Sequence, residues 1–183
     1  MLQTPSPETK SKKAARGIIE WLRSLIIALA GALFITVLIA QPITVQGSSM
    51  MNTLQNRDLM IATKFDYIFG DPDRFDVVIC RYPGRGSTNF VKRVVGLPGD
   101  QVAMVGGVLF VNGEEVREDY IDFPADYYLP EVTVAPGHYF VLGDNRSNSN
   151  DSHFEQVGQL ARDQIIGRVR WVIWPLWEMR SIE

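Results

Sequence analysis

The feature that most limits this chain is the run Ser24–Ala40, SLIIALAGALFITVLIA, which holds no charged residue. At about 1.5 Å per residue, a helix of this length spans roughly 26 Å, slightly short of a hydrocarbon core of about 30 Å. Adding Ile18, Ile19, Trp21 and Leu22 closes the difference. Arg23 then extends toward the headgroups, and Trp21 lies at the interface. A cleaved signal peptide would have a shorter apolar core followed by a small-x-small site, and Leu38-Ile39-Ala40-Gln41-Pro42 is a poor one. A helix buried in a soluble core would show a polar stripe, which this run lacks. The expectation is one transmembrane helix over residues 18–41, after a disordered basic tail over residues 1–17. Lys10, Lys12, Lys13 and Arg16 all precede the helix, and Gln41–Gln55 carries no charge. The positive-inside rule then puts the N-terminus in the cytoplasm and residues 42–183 outside the cell membrane.

Beyond Pro42 the pattern turns to short strands. Expected strands are Ile43–Gln46, Leu59–Thr63, Asp76–Tyr82, Asn89–Gly96, Gln101–Val105, Val108–Val111, Tyr139–Leu142 and Gly167–Trp174. Asn112-Gly113, between Val-Leu-Phe-Val and Glu-Glu-Val, predicts a hairpin with a primed turn. Leu97-Pro98-Gly99-Asp100 predicts another turn. Helical turns are expected only near Thr53–Asn56 and Ala161–Ile165. The fold class is therefore mainly β: an antiparallel domain of roughly 140 residues, large enough for its own core, behind a single N-terminal helix.

Composition removes several function classes. Net charge is −3, which gives no footing for nucleic-acid binding. A lone cysteine, Cys80, cannot form an intramolecular disulfide, and Val77-Val78-Ile79-Cys80 reads as a buried strand. Two histidines, His138 and His153, and no clustered ligand motif leave no metal or cofactor to expect.

Hydrolysis would then need another activated group, and Ser-Lys is one known pair. A free lysine is neutral in only roughly 1 molecule in 2,500 at pH 7. Burial beside apolar side chains is what makes it a base. Lys92 fits: strand alternation puts Phe90 and Val94 on its own face, with Val91, Arg93 and Val95 on the other. Taken alone it reads more readily as an exposed edge-strand lysine. Ser49 follows the apolar run by about nine residues, in Gly47-Ser48-Ser49-Met50-Met51. By composition this reads more readily as a juxtamembrane linker. The polar stretch Gly143–Ser152 reads as a solvated loop, although it follows the clean strand Tyr139-Phe140-Val141-Leu142.

Four segments taken in order change that balance. They are Gly47-Ser48-Ser49-Met50-Met51-Asn52-Thr53-Leu54, Asp76-Val77-Val78-Ile79, Val91-Lys92-Arg93-Val94-Val95-Gly96-Leu97-Pro98-Gly99-Asp100, and Gly143-Asp144-Asn145-Arg146-x-Asn148-Ser149-x-Asp151-Ser152. Behind a membrane anchor this set resembles the bacterial type I signal peptidases, also called leader peptidases, over nearly the whole chain. The resemblance implies a Ser/Lys serine endopeptidase with Ser49 as nucleophile and Lys92 as general base. Ser149 would hydrogen-bond and orient the lysine. The backbone of Ser49 and Gly47 would hold the oxyanion. Asp144, Arg146 and Asp151 would brace the site as one network. Substrates would be secretory preproteins cut at Ala-x-Ala sites, bound as an added strand along Val45-Gln46-Gly47 and Phe90-Val91. Val45, Met50, Leu54, Val91 and Leu142 would line shallow apolar pockets. The bilayer is the other implied partner, and no obligate protein partner is inferred.

Departures from the family pattern are Asn52 for Pro, Ser147 for Asp, His153 for Arg, Glu155-Gln156 for Trp-Gly, and Asn150 for a small residue. Trp171, Trp174 and Trp177 suit either a membrane interface or strand packing. The competing readings are a self-cleaving Ser-Lys protease, which would carry a DNA-binding domain in place of the anchor, and a non-catalytic membrane-tethered β module.

Overall fold

The computed structural model describes residues 7–34, 40–86 and 88–182. The chain divides into two compact units, Met1–Ile39 and Ala40–Glu183. The first is a helix, α1 (Pro7–Phe34), whose Arg16–Phe34 portion is long and apolar enough to cross a membrane. Its apolar side chains are exposed throughout, among them Ile19, Ile26, Leu29 and Phe34. Residues 7–17, expected as a disordered tail, are helical. The segment Lys10-Ser11-Lys12-Lys13-Ala14-Ala15-Arg16 is built mostly of good helix formers and continues the helix that follows. Residues 1–6 of the expected tail, and 35–39 of the expected membrane span, lie outside the described residues.

The second unit is antiparallel β. Its larger sheet runs in the order β1 (Ala40–Thr44), β2 (Leu59–Thr63), β11 (Ile165–Trp174), β3 (Val77–Arg81), β4 (Asn89–Gly96), β9 (His138–Leu142) and β10 (Leu160–Ala161), with β12 (Arg180–Ser181) also pairing with β11. The smaller sheet has the order β7 (Glu114–Glu115), β6 (Val108–Val111), β5 (Gln101–Val105) and β8 (Leu129–Thr133). At the β6–β7 hairpin, Asn112 and Gly113 take φ of 55° and 79°, the two positive values that a type I′ turn requires. The first strand lies at Ala40–Thr44 rather than Ile43–Gln46: the Val45 amide still bonds the Asp58 carbonyl in register, but the Val45 carbonyl accepts from the Arg57 amide and the chain turns away. β8 was not expected: Pro130 and Glu131 interrupt its apolar pattern, and as an edge strand it tolerates both. A short helix, α2 (Asp66–Phe69), was not expected either.

Three buried clusters make up the core. One gathers Val45, Met50, Leu54, Met60, Val77 and Val172. A second, between the sheets, includes Val95, Val102, Leu109, Phe140 and Leu142. The third contains Val78, Cys80, Tyr82, Val94, Val141 and Leu160. β4 gives Val95 to the second cluster and Val94 to the third, and its Val91 packs against the first; its register against β3 sets Val78 opposite Lys92 and Cys80 opposite Phe90. Alternation therefore turns Lys92 toward the face that carries the third cluster. Cys80 is fully buried, and burial pushes its thiol up to about 12.

Candidate active site

β4 delivers Lys92, and the turn after β1 delivers Ser49. That turn is tight, closed by bonds from the Met51 amide to the Ser48 carbonyl and from the Leu54 amide to the Met50 carbonyl. Met50 and Leu54 anchor it in the core. Gly47 enters it at φ 99° and Asn52 leaves it at φ 93°. Proline is fixed near φ −65°, so the Pro of the family pattern would not fit the backbone that Asn52 adopts here.

Lys92 Nζ donates to Ser49 Oγ at 2.5 Å. The lysine is only 2 % exposed. Burial holds its ammonium below the ordinary lysine value, while the charges of Asp151, Cys80 and Asp144 act the other way without reversing the shift. Removing a charge from water favours the neutral amine, the form that can accept a proton. Ser49 and Lys92 stand together in a cleft of about 440 Å³. Val45, Gln46, Gly47, Met50, Phe90 and Val91 are among the residues that line it. So are Ile43, Thr44, Ile79, Thr88 and Asn89, which sequence reasoning missed. Asn89 opens β4 and Thr88 precedes it, directly before Phe90, so extending the expected strand contact by two residues would have found them.

Leu54 and Leu142 do not belong to this cleft. Both are fully buried, Leu54 in the first cluster and Leu142 between the sheets. Leu142 pairs with Arg93 across the β4–β9 ladder and packs into the cluster between the sheets, away from the residues that line the cleft.

The expected bracing network also divides differently. Asp144 pairs with Arg93, not Arg146: Nε reaches Oδ1 at 3.0 Å and Nη2 reaches Oδ2 at 2.9 Å. Arg93 Nη1 also bonds the Phe75 carbonyl at 2.8 Å, and its guanidinium lies 3.9 Å from the centre of the Tyr120 ring. Thr53 Oγ1 donates to Asp144 as well, which ties the nucleophile turn to this pair. Arg146 forms a buried fork with Glu118 and donates Nε to the Gly143 carbonyl at 3.0 Å. Asp151 accepts the Gly143 amide at 2.8 Å and meets His153 Nδ1 at 2.6 Å. The His153 ring in turn stacks on Tyr127. The partners Arg93, Glu118 and His153 lie outside the polar stretch, so Asp144, Arg146 and Asp151 do not pair with one another as one network.

Ser149 is buried beside the site, but its hydroxyl finds no hydrogen-bond partner among the described residues and does not bond Lys92 in this structure. A methyl group on Gly143 would collide with Ser149 Oγ and the Ser49 carbonyl oxygen, and would come within 2.6 Å of Ser149 Cβ. Gly143 is thus where the loop and the nucleophile turn press together. The Asn145 amide fastens the same junction, donating to the Ser49 carbonyl at 3.1 Å. The Gly47 amide donates to Asn56 Oδ1 at 3.2 Å, an exposed contact.

The family model for signal peptidase, peptidase S26, matches residues 18–174. The chain belongs to that family. It is a serine endopeptidase, a hydrolase of the kind that removes signal peptides. Signal peptidase I S of Bacillus subtilis (strain 168) is 37% identical over 186 residues, covering 95% of this chain and 97% of that protein. Signal peptidase I of Leptolyngbya laminosa is 36% identical over 184 residues, covering 95% and 89%. A crystal structure of a signal peptidase I from Enterococcus faecalis V583 is 31% identical, with a TM-score of 0.46, covering 54% of this chain and 97% of that one.

Proposed function

We propose that this peptidase works through a Ser49–Lys92 dyad, held to the cell membrane by α1, and that it cuts secretory preproteins after Ala-x-Ala sites. The observation that carries the reading is the 2.5 Å hydrogen bond from a buried lysine to a serine in a cleft. Lys92, neutral, takes the Ser49 hydroxyl proton as Oγ bonds to the scissile carbonyl carbon. The Ser49 backbone N–H receives the developing oxyanion, and the Gly47 N–H joins it by giving up its exposed contact with Asn56. The C–N bond then breaks, and the Lys92 ammonium returns its proton to the departing amine. A water, deprotonated by Lys92, opens the Ser49 ester and frees the acid. Ser149 supplies an unpaired hydroxyl beside this chemistry, free to accept from the ammonium whenever it forms.

Val45-Gln46-Gly47 and Phe90-Val91 both border the cleft, which suits an extended peptide laid along them. The basic residues before the apolar helix support a cytoplasmic N-terminus, with the β domain outside. The test is cleavage of an Ala-x-Ala peptide by the full chain in detergent. Cutting directly after the second alanine, abolished in Ser49→Ala, is the expected result. Full activity in Ser49→Ala would sink the dyad.

Gly143→Ala offers a second check. Its methyl group must displace either Ser149 or the Ser49 carbonyl, and a shift of about 1 Å at the reacting groups costs on the order of 10²-fold in rate. The loss should fall in kcat rather than KM. An unchanged kcat would mean that the junction does not position the serine.

A further inference from the structure

A second cavity, of about 190 Å³, meets the nucleophile turn from its other end. Met50 borders the main cleft and Met51 borders this one, so the turn changes sides between adjacent residues. Asn145 lines the second cavity while its side chain donates to the Ser48 carbonyl at 3.1 Å and its amide to Ser49. The two cavities therefore flank one reacting residue.

The charged groups bordering the second cavity are already engaged. Asp144 is held by Arg93, and Arg146 by Glu118. The Asn52 carboxamide, oriented by its neighbours, accepts the Asp122 N–H at 2.9 Å and donates to the Asp122 carboxylate at 2.8 Å. What remains open to a visitor is apolar: Met51, 46% exposed, and Phe123, 76% exposed. Phe123 has no core role. It is presented by the segment between β7 and β8, which Glu118–Arg146 and the Tyr120–Arg93 contact fasten down on either side of the turn.

We infer that this cavity receives the substrate residues that follow the scissile bond, the start of the released mature chain, and that Met51 and Phe123 select apolar side chains there. The inference rests on the proposed reading of the main cleft. A peptide whose acyl side fills the cleft and whose carbonyl sits at Ser49 must carry its amine side past the turn, toward the cavity that Met51 and Asn145 border. A hydrophobic pocket of this kind discriminates by roughly 10-fold or somewhat more per well-seated group.

The experiment compares Ala-x-Ala peptides with Leu, Ala or Asp at the first two positions after the bond. For the full chain, kcat/KM is expected to favour Leu over Asp by about 10-fold. Phe123→Ser should bring that ratio within about twofold while the requirement for small residues before the bond persists. A flat profile in the parent, or an unchanged ratio in the variant, would overturn the pocket while leaving the dyad intact. Binding is read separately, using a labelled peptide that begins with the Leu-containing mature sequence and the Ser49→Ala protein, followed by fluorescence anisotropy. Weaker binding after Phe123→Ser supports the pocket, and equal binding refutes it, whether or not any peptide is cut.

Discussion

Lys92→Met is expected to lower kcat/KM on an Ala-x-Ala peptide by about 10⁴-fold or more, the scale of losing one member of a nucleophile–base pair. The same substitution should leave the fold at least as stable as before. Lys92 is buried on a face it shares with Phe90 and Val94, and methionine fills a similar volume without an amine to desolvate. A residue kept for structure would behave in the opposite way, with its loss costing stability first. Thermal melting and peptide cleavage, measured on the same preparation, separate the two. A variant that retains a tenth of the parent activity would rule out Lys92 as the base.

Asp144→Ala should have the largest effect on stability. It strands the Arg93 guanidinium, itself 2% exposed, with one of its main partners gone. Breaking a buried pair from one side costs about 3–5 kcal/mol, because the remaining charge stays out of water. For a domain of this size that corresponds to a fall in Tm of roughly 10 °C. Activity should drop as well, since Asp144 also accepts from Thr53 on the nucleophile turn. A stability loss below about 1 kcal/mol would mean that water reaches Arg93 and that the pair is a surface feature.

Lys92 and Arg93 show what was legible in the sequence and what was not. Strand alternation around them assigned opposite faces correctly, because period two is a local property. Phe90-Val91 and Val45-Gln46 were implied by the motif resemblance and not by alternation, which puts neighbours on opposite faces. The partner of Arg93 was not legible. Asp144 lies 51 residues away, and only the β4–β9 pairing brings the two together. Glu118 was invisible for a related reason: it sits in an irregular segment with no period to read, yet it is the buried counter-ion of Arg146. Leu54 and Leu142 were misplaced because hydrophobicity near a motif does not say which side of a sheet is the cleft. Ser149 was found as a site neighbour, but not its bonding, since a hydroxyl's orientation depends on atoms that sequence does not position. The turn at Asn112-Gly113 was read correctly, its backbone angles being dictated by those two residues alone.

The most direct test of the central claim is the pH dependence of kcat/KM for the full chain on one Ala-x-Ala peptide. Burial lowers the Lys92 pKa, so the neutral base accumulates as pH rises through that lowered value. The unfolded chain keeps its lysine protonated across the same window and binds more protons than the folded one, so folding stability rises with pH there too. The expected profile is an ascending limb with an apparent pKa clearly below the free-lysine value of about 10.4, absent from residual Lys92→Met activity. An ascending limb at about 10.4, or one that persists unchanged in Lys92→Met, would contradict a buried Lys92 as the base that activates Ser49.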